Sequence, residues 1–261
     1  MTAQLPPVHV VGVGMTPFAK PSAGEAYPAM AARAVCAALD DARLGYAQIE
    51  QAYVGYVYGD STAGQAALYS VGLSGVPIVN VNNNCATGST ALFLARQAVA
   101  SGVVDCALAL GFEQMVPGAL KGVFDDRPSP IARFAEAMSE QQGFEPTAPR
   151  AAQFFGGAAR AYVREHGIRT DTFGRIAVKA RQHAARNPLA VFRQTVTLDE
   201  VMASPMVFEP LTRLQCCPPT CGAAAAIVCS ADFARRHGLD TRVRIAAIIA
   251  IWGAFSDPSV I

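Results

Sequence analysis

The 261-residue chain has no long apolar run. Although 52% of its residues are hydrophobic, no stretch approaches the ~20 needed to span a bilayer, so no membrane span is expected. Charge is scarce and balanced, with 21 Lys and Arg against 20 Asp and Glu for a net charge of +1. That balance argues against a nucleic-acid footprint. Residues 1–7 carry no basic segment followed by an apolar one, so no secretory leader is expected. Ser259-Val260-Ile261 is not a peroxisomal address. No G-x-S-x-G occurs, which argues against a serine hydrolase. The cysteines are seven, an odd number. Cys216, Cys217, Cys221 and Cys229 cluster without a C-x-x-C pair, which argues against a zinc knuckle. The thiols are read as reduced, in a cytoplasmic compartment. The four histidines, His9, His166, His183 and His237, stand isolated. His166-Gly167 and His237-Gly238 read as helix C-termini, where a cation suits the dipole.

What the chain does have is one stretch around which the rest is arranged. Residues 76–81 form a β-branched run that ends in Asn82-Asn83-Asn84, with Cys85 directly after. Ala91 to Ala100 then has helical composition, closed by Gly102. The pattern predicts strand, tight turn and helix, with Cys85 at or near the first helical turn. Free backbone N–H groups and the positive dipole end favour a thiolate there, so Cys85 is expected to be a nucleophile with a lowered pKa. The same N–H groups suit an oxyanion formed when a thioester is attacked. Ala86, Gly88 and Ser89 leave a substrate room. The competing reading is a small, inert core cysteine.

Strand and helix patterns alternate before and after this stretch. Strands are expected at Val8–Val13, Ala52–Tyr58, Val103–Gly111, Gly222–Ser230 and Val243–Trp252. Helices are expected at Tyr27–Arg43, Gly64–Gly72 and Ala231–His237. Gly12-Val13-Gly14 is read as a plain glycine turn, because Pro17 stands where a dinucleotide fingerprint needs its third glycine. Residues 114–205 hold most of the arginines, together with seven of the 17 prolines, and lack a strand pattern, with helices expected at Ala151–Glu165 and Thr172–Arg186. The expected class is α/β with a mixed, mostly parallel sheet, built from residues 1–113 and 206–261. Residues 114–205 are a nested helical and loop insertion. Lys179, Arg181, His183 and Arg186 lie close together on one expected helix. They form either a solvated basic face or a landing strip for a phosphorylated substrate.

At Asn80–Ala91 the sequence resembles the nucleophile motif of thiolases, in particular the sterol-carrier-protein X (lipid-transfer-protein) type. Residues 10–18, 54–62, 108–113, 198–204 and 214–218 are similar to the same subfamily, so the likeness runs from about residue 8 to about residue 250. It implies a thiolase-like α-β-α half with a loop domain over the substrate. It also implies an acyltransferase in lipid or sterol side-chain metabolism, using coenzyme A and acyl-CoA as substrates and no bound cofactor. Cys85 would carry the acyl group taken from a 3-ketoacyl-CoA before CoA receives it. Related enzymes pair subunits through the strand before the nucleophile, which implies a homodimer.

The chain departs from that pattern in two ways. No His-Asp/Glu-Cys/Ala-Phe, Gly-His-Pro-x-Gly or Cys-x-Gly loop occurs, and Cys221 replaces the usual acidic residue before the Gly222-Ala-Ala run. The catalytic C-terminal half is therefore expected on another chain or absent. The alternatives are a non-catalytic acyl-CoA or lipid-binding module, or one subunit of a split thiolase or retro-aldolase.

Overall fold

A computed structural model of the chain describes residues 6–116, 124 and 126–248. It opens with β1 (Val8–Met15), α1 (Tyr27–Ala42), β2 (Gln51–Gly55), α2 (Ala63–Tyr69), β3 (Ile78–Val81), α3 (Thr87–Ala100) and β4 (Cys106–Glu113). Next come α4 (Ala132–Gln142), α5 (Arg150–His166), α6 (Thr172–Ala185) and α7 (Leu198–Ala203), then β5 (Met206–Phe208) and β6 (Leu211–Thr212). β7 (Gly222–Ser230) and α8 (Ala231–His237) follow. The described residues fall into two compact units: 6–116 with 219–248, and 124–218.

The first unit is built on one five-stranded sheet in the order β1-β7-β4-β2-β3. β7 runs against both β1 and β4, and β4, β2 and β3 are parallel. Four of the five strands therefore point the same way, which makes the sheet mixed and mostly parallel. Alternation along β4 sorts its side chains by size. Cys106, Leu108, Leu110 and Phe112 pack with α1, α2, Ile227 and Phe233. Ala107 and Ala109 pack on the other face with Ala91, Ala95 and Val99 of α3. One face thus carries bulk, and the other lets a helix approach closely. Each large aliphatic residue so buried contributes about 1.5–3 kcal/mol.

Gly12 and Gly14 lie inside β1, not in a turn. A Cβ on Gly14 would sit 2.0 Å from the Ala34 carbonyl oxygen, and one on Gly12 2.2 Å from that of Ala38. The two glycines let α1 lie directly on the strand backbone. Of the strand expected at Val243–Trp252, residues 243–245 bond to the outer edge of β1, with a bridge between His9 and Arg244. Ile245 to Ile248 continue without strand structure, and residues 249–252 lie outside the described residues.

The second unit is helical, with the β5–β6 ribbon as its one named strand pair among the described residues. α5 carries the bond that organises its first half. The fully buried Gln153 amide donates to the Glu145 and Ala148 carbonyls at 2.8 and 2.9 Å and accepts from the Glu145 N–H at 3.1 Å. α7 begins with a capping box between Thr197 and Glu200. Among the described residues no helix is long and apolar enough to cross a membrane.

Candidate active site

β2, β3 and β4 end side by side, at the edge where open α/β sheets place their ligands. β3 ends at Val81, and the chain then makes a tight turn into α3. Three asparagines and two threonines hold that turn. The Asn83 N–H donates to Thr87 Oγ1 at 2.8 Å, while the Thr87 hydroxyl donates to the Asn84 carbonyl. The Asn83 amide donates to Thr90 Oγ1 at 3.1 Å, and the Thr90 hydroxyl donates to the Ala86 carbonyl at 2.9 Å. Asn84 takes a left-handed φ of 46°, which asparagine tolerates better than most residues. The Asn-rich approach is therefore the scaffold of the turn.

Cys85 leaves this turn exposed, two residues before α3 begins at Thr87. The helix start agrees with the expected place of Cys85 at or near the first turn, and Thr87 and Thr90 anchor that turn through side-chain bonds. No side chain caps α3; the Ala86 and Thr87 N–H groups donate to the Asn83 and Asn84 carbonyls at 3.1 Å, so the Gly88 and Ser89 N–H groups are the ones placed to meet an anion. A Cβ on Gly88 would meet nothing within 4 Å, so there is open space at the first turn of α3. The structure thus gives Cys85 exposure and an uncapped helix start with open space at its first turn.

The other cysteines differ. Cys106 and Cys229 are buried opposite each other on β4 and β7. Burial is the main cause that raises both thiols, Cys229 to about 11 and Cys106 further. The cluster of four read from the sequence divides. Cys221 is buried in the sheet unit, its sulfur hydrogen-bonded to the Met115 backbone. Cys216 and Cys217 belong to the helical unit, where they border a groove of about 370 Å³ with Phe173, Ile176, Leu211 and Leu214. Among the described residues no three His, Cys, Asp or Glu side chains gather as metal ligands.

Of the basic residues expected to meet a phosphorylated substrate, Lys179, His183 and Arg186 are exposed at spacings that put them on one stripe of α6 and its C-terminal cap. Arg181 departs from them. Its guanidinium lies 4.7 Å from the Phe192 ring centre and borders the groove. The two histidines of the sheet unit are occupied elsewhere: His9 Nδ1 bonds to the Thr241 carbonyl at 3.0 Å and His237 to Gln48 at 3.0 Å.

Sequence reasoning missed Glu113, the last residue of β4. Its carboxylate accepts the Val57 N–H at 3.0 Å and the Tyr58 N–H at 3.2 Å. Burial lifts the carboxyl above the usual carboxylate range, and the N–H bonds oppose that rise. A glutamate ending an otherwise apolar strand was the available signal.

Residues 8–232 match the thiolase N-terminal domain family. The chain belongs to the thiolase family. It is 51% identical over 234 residues to sterol carrier protein 2 of Gallus gallus, a match that covers 89% of this chain and 43% of that protein. The chain thus spans less than half the length of that relative. Among solved structures it is similar to an Ltp2-ChsH2(DUF35) aldolase, with a TM-score of 0.72 and 26% identity over 91% of this chain and 59% of that one. Human mitochondrial 3-ketoacyl-CoA thiolase in complex with CoA shares the fold, with a TM-score of 0.66 and 16% identity over 92% and 68% of the two chains.

Proposed function

We propose that this thiolase-family chain is the nucleophile-bearing part of an acyltransferase that cleaves a 3-ketoacyl-CoA with CoA, giving an acyl-CoA and acetyl- or propanoyl-CoA. The observation that carries the reading is the exposed Cys85 at the uncapped start of α3. Its thiolate adds to the C3 carbonyl of the substrate. The C2–C3 bond breaks, the acyl group stays on sulfur as a thioester, and the departing carbanion takes a proton. The thiol of CoA then attacks the Cys85 thioester and releases the shortened acyl-CoA. The Gly88 and Ser89 N–H groups in the first turn of α3 stabilise the oxyanion in both halves of the cycle.

Two proton transfers in this scheme need an acid/base group, since a thiol with an ordinary pKa is only slightly ionised at pH 7. The histidines of the sheet unit are tied elsewhere. We assign the base to a further polypeptide segment of the kind that makes up the rest of the relatives' length, on this chain or a partner. The exposed stripe Lys179, His183 and Arg186 is our candidate for the phosphates of CoA. The likeness to the Ltp2-ChsH2(DUF35) aldolase favours a second reading, one subunit of a two-component carbon–carbon lyase.

One experiment separates the readings. Residues 1–261 are incubated with acetoacetyl-CoA, alone and with a polypeptide carrying the histidine loops of a thiolase C-terminal half. Acyl transfer predicts slow, single acylation of Cys85 alone and multiple turnovers with the second polypeptide. A parallel incubation of wild type and Cys85→Ala with a 3-hydroxyacyl-CoA completes the test: carbon–carbon cleavage that survives Cys85→Ala would overturn acyl transfer in favour of the lyase.

A further inference from the structure

One partly buried carboxylate near the candidate nucleophile has no part in the acyl-transfer scheme. Glu113 closes β4, and its two oxygens accept the N–H groups of Val57 and Tyr58, the segment that follows β2. That segment runs beside the strand that delivers Cys85, and the Tyr56 N–H bonds to the Val81 carbonyl at 3.4 Å. Phe112, next to Glu113, stacks on Tyr56 at 5.2 Å and on Tyr27 at 4.8 Å, so the β4 end is held from two sides. The Tyr58 phenol is raised chiefly by burial, then by the charges of Glu113 and Cys85. The geometry that joins the two sites is the segment 56–58, bonded on one side to Glu113 and on the other to the end of the strand that delivers Cys85.

From the joined ends of β2, β3 and β4, we propose that Glu113 is a positioning residue for Cys85. Its carboxylate clamps the Val57–Tyr58 backbone and so fixes the segment that runs beside the end of β3, from which the nucleophile's turn departs. The clamp needs two acceptor oxygens on one side chain. A glutamine at this position offers one oxygen and turns an amide donor against the second N–H. A segment held this way limits how an acyl thioester meets the thiol, where small misplacement is costly. The proposal rests on Cys85 being the nucleophile.

The test uses the whole chain and three variants: Glu113→Gln, Glu113→Asp and Tyr58→Phe. Acylation of Cys85 by acetoacetyl-CoA is followed by mass spectrometry, with iodoacetamide labelling of exposed Cys36 and buried Cys106 as internal controls. Glu113→Gln is expected to slow Cys85 acylation about tenfold, with labelling of Cys36 and Cys106 unchanged. Glu113→Asp recovers part of the rate. Tyr58→Phe combined with Glu113→Gln costs no more than the larger single effect, because both act on one segment. Independently of any thiol chemistry, Glu113→Gln lowers the midpoint of Tyr58 ionisation in ultraviolet difference titration. Acylation within twofold of wild type, a loss matched by faster labelling of Cys106, or an unmoved tyrosine midpoint would each overturn the clamp. If wild-type Cys85 reacts no faster than Cys36, the nucleophile reading falls. The tyrosine titration then shows whether Glu113 still governs Tyr58.

Discussion

The two units of the molecule hold their shape by different means. The sheet unit is held by apolar contact: Leu108, Leu110, Ile227 and Val54 are fully buried, and its glycines let backbones touch. The helical unit has few such residues. Its largest fully buried side chain is the amide of Gln153, while Phe134, Phe155, Tyr162 and Ile176 lie exposed. Its termini are fastened by ion pairs at the surface, such as Asp171 with Arg169 and Arg175. A packed sheet edge can hold a thiol at a fixed place. A helical unit fastened by polar bonds responds instead to salt and pH. In the proposed function the sheet unit supplies the chemical step and the helical unit meets charged parts of the substrate.

The comparison breaks first at Cys85. Replacing it with alanine is expected to abolish acyl-enzyme formation entirely, read as the missing thioester mass after incubation with acetoacetyl-CoA. If an equal load of acyl group appears on Cys217, the exposed thiol of the helical unit, the division of labour is wrong.

Core truncation gives the next effect. Leu110→Ala should cost the sheet unit about 3 kcal/mol, in the range for a fully buried leucine. Gln153→Ala should cost the helical unit about 2 kcal/mol, because it leaves the Glu145 and Ala148 backbone groups unpaired. Denaturant titration should show two transitions, each mutation moving only one. A single transition moved equally by both would mean that the units unfold together.

A smaller effect is expected on α6. Lys179→Ala with Arg186→Ala should weaken CoA binding several-fold at low ionic strength and by much less at 0.5 M salt, as exposed charges are screened. Calorimetric titration at the two salt concentrations measures this. A loss independent of salt would point to packing instead of charge.

Much of this contrast could be read in the chain. The alternation of β4, the Asn-rich turn before Cys85 and the glycines closing α5 and α8 are local patterns, and local physics decides them. What anchors the start of α3 was harder to read, because Thr87 and Thr90 reach back to Asn83, Asn84 and Ala86. Gly12 and Gly14 looked like a turn because their reason, contact with Ala38 and Ala34, lies 20 or more residues away. The tie from Glu113 to Val57 and Tyr58 spans 55 or more residues and leaves no periodic trace. The four nearby cysteines looked like one cluster, yet the boundary between units passes between Cys217 and Cys221.

The smallest expected effect concerns acid stability and sets one carboxylate from each unit side by side. In the helical unit, side-chain bonds from Arg169 and then Arg175 push Asp171 down to about 2. In the sheet unit, Arg236 first and Ser230 second lower Asp105. Both groups sit below the unfolded aspartate value of about 3.9. Each therefore adds stability that is complete above that value and is lost as pH falls through the folded one. For Asp171 the loss lies between about pH 4 and pH 2. The partner guanidiniums are largely exposed, with 77% and 58% side-chain exposure for Arg169 and Arg175, so solvent and salt reduce the gain. Asp171→Asn should lower the helical unit's unfolding midpoint at pH 7, where the carboxylate's contribution is complete, and the difference from wild type should shrink as pH falls from 4 to 2, so that the acid limb flattens. Asp105→Asn should do the same for the sheet unit alone, since Ser230 and Arg236 belong to it. An acid limb that persists in Asp171→Asn would assign the helical unit's acid sensitivity to another carboxylate, with Glu145 and Glu200, both lowered by bonds to threonine, as the next groups to replace.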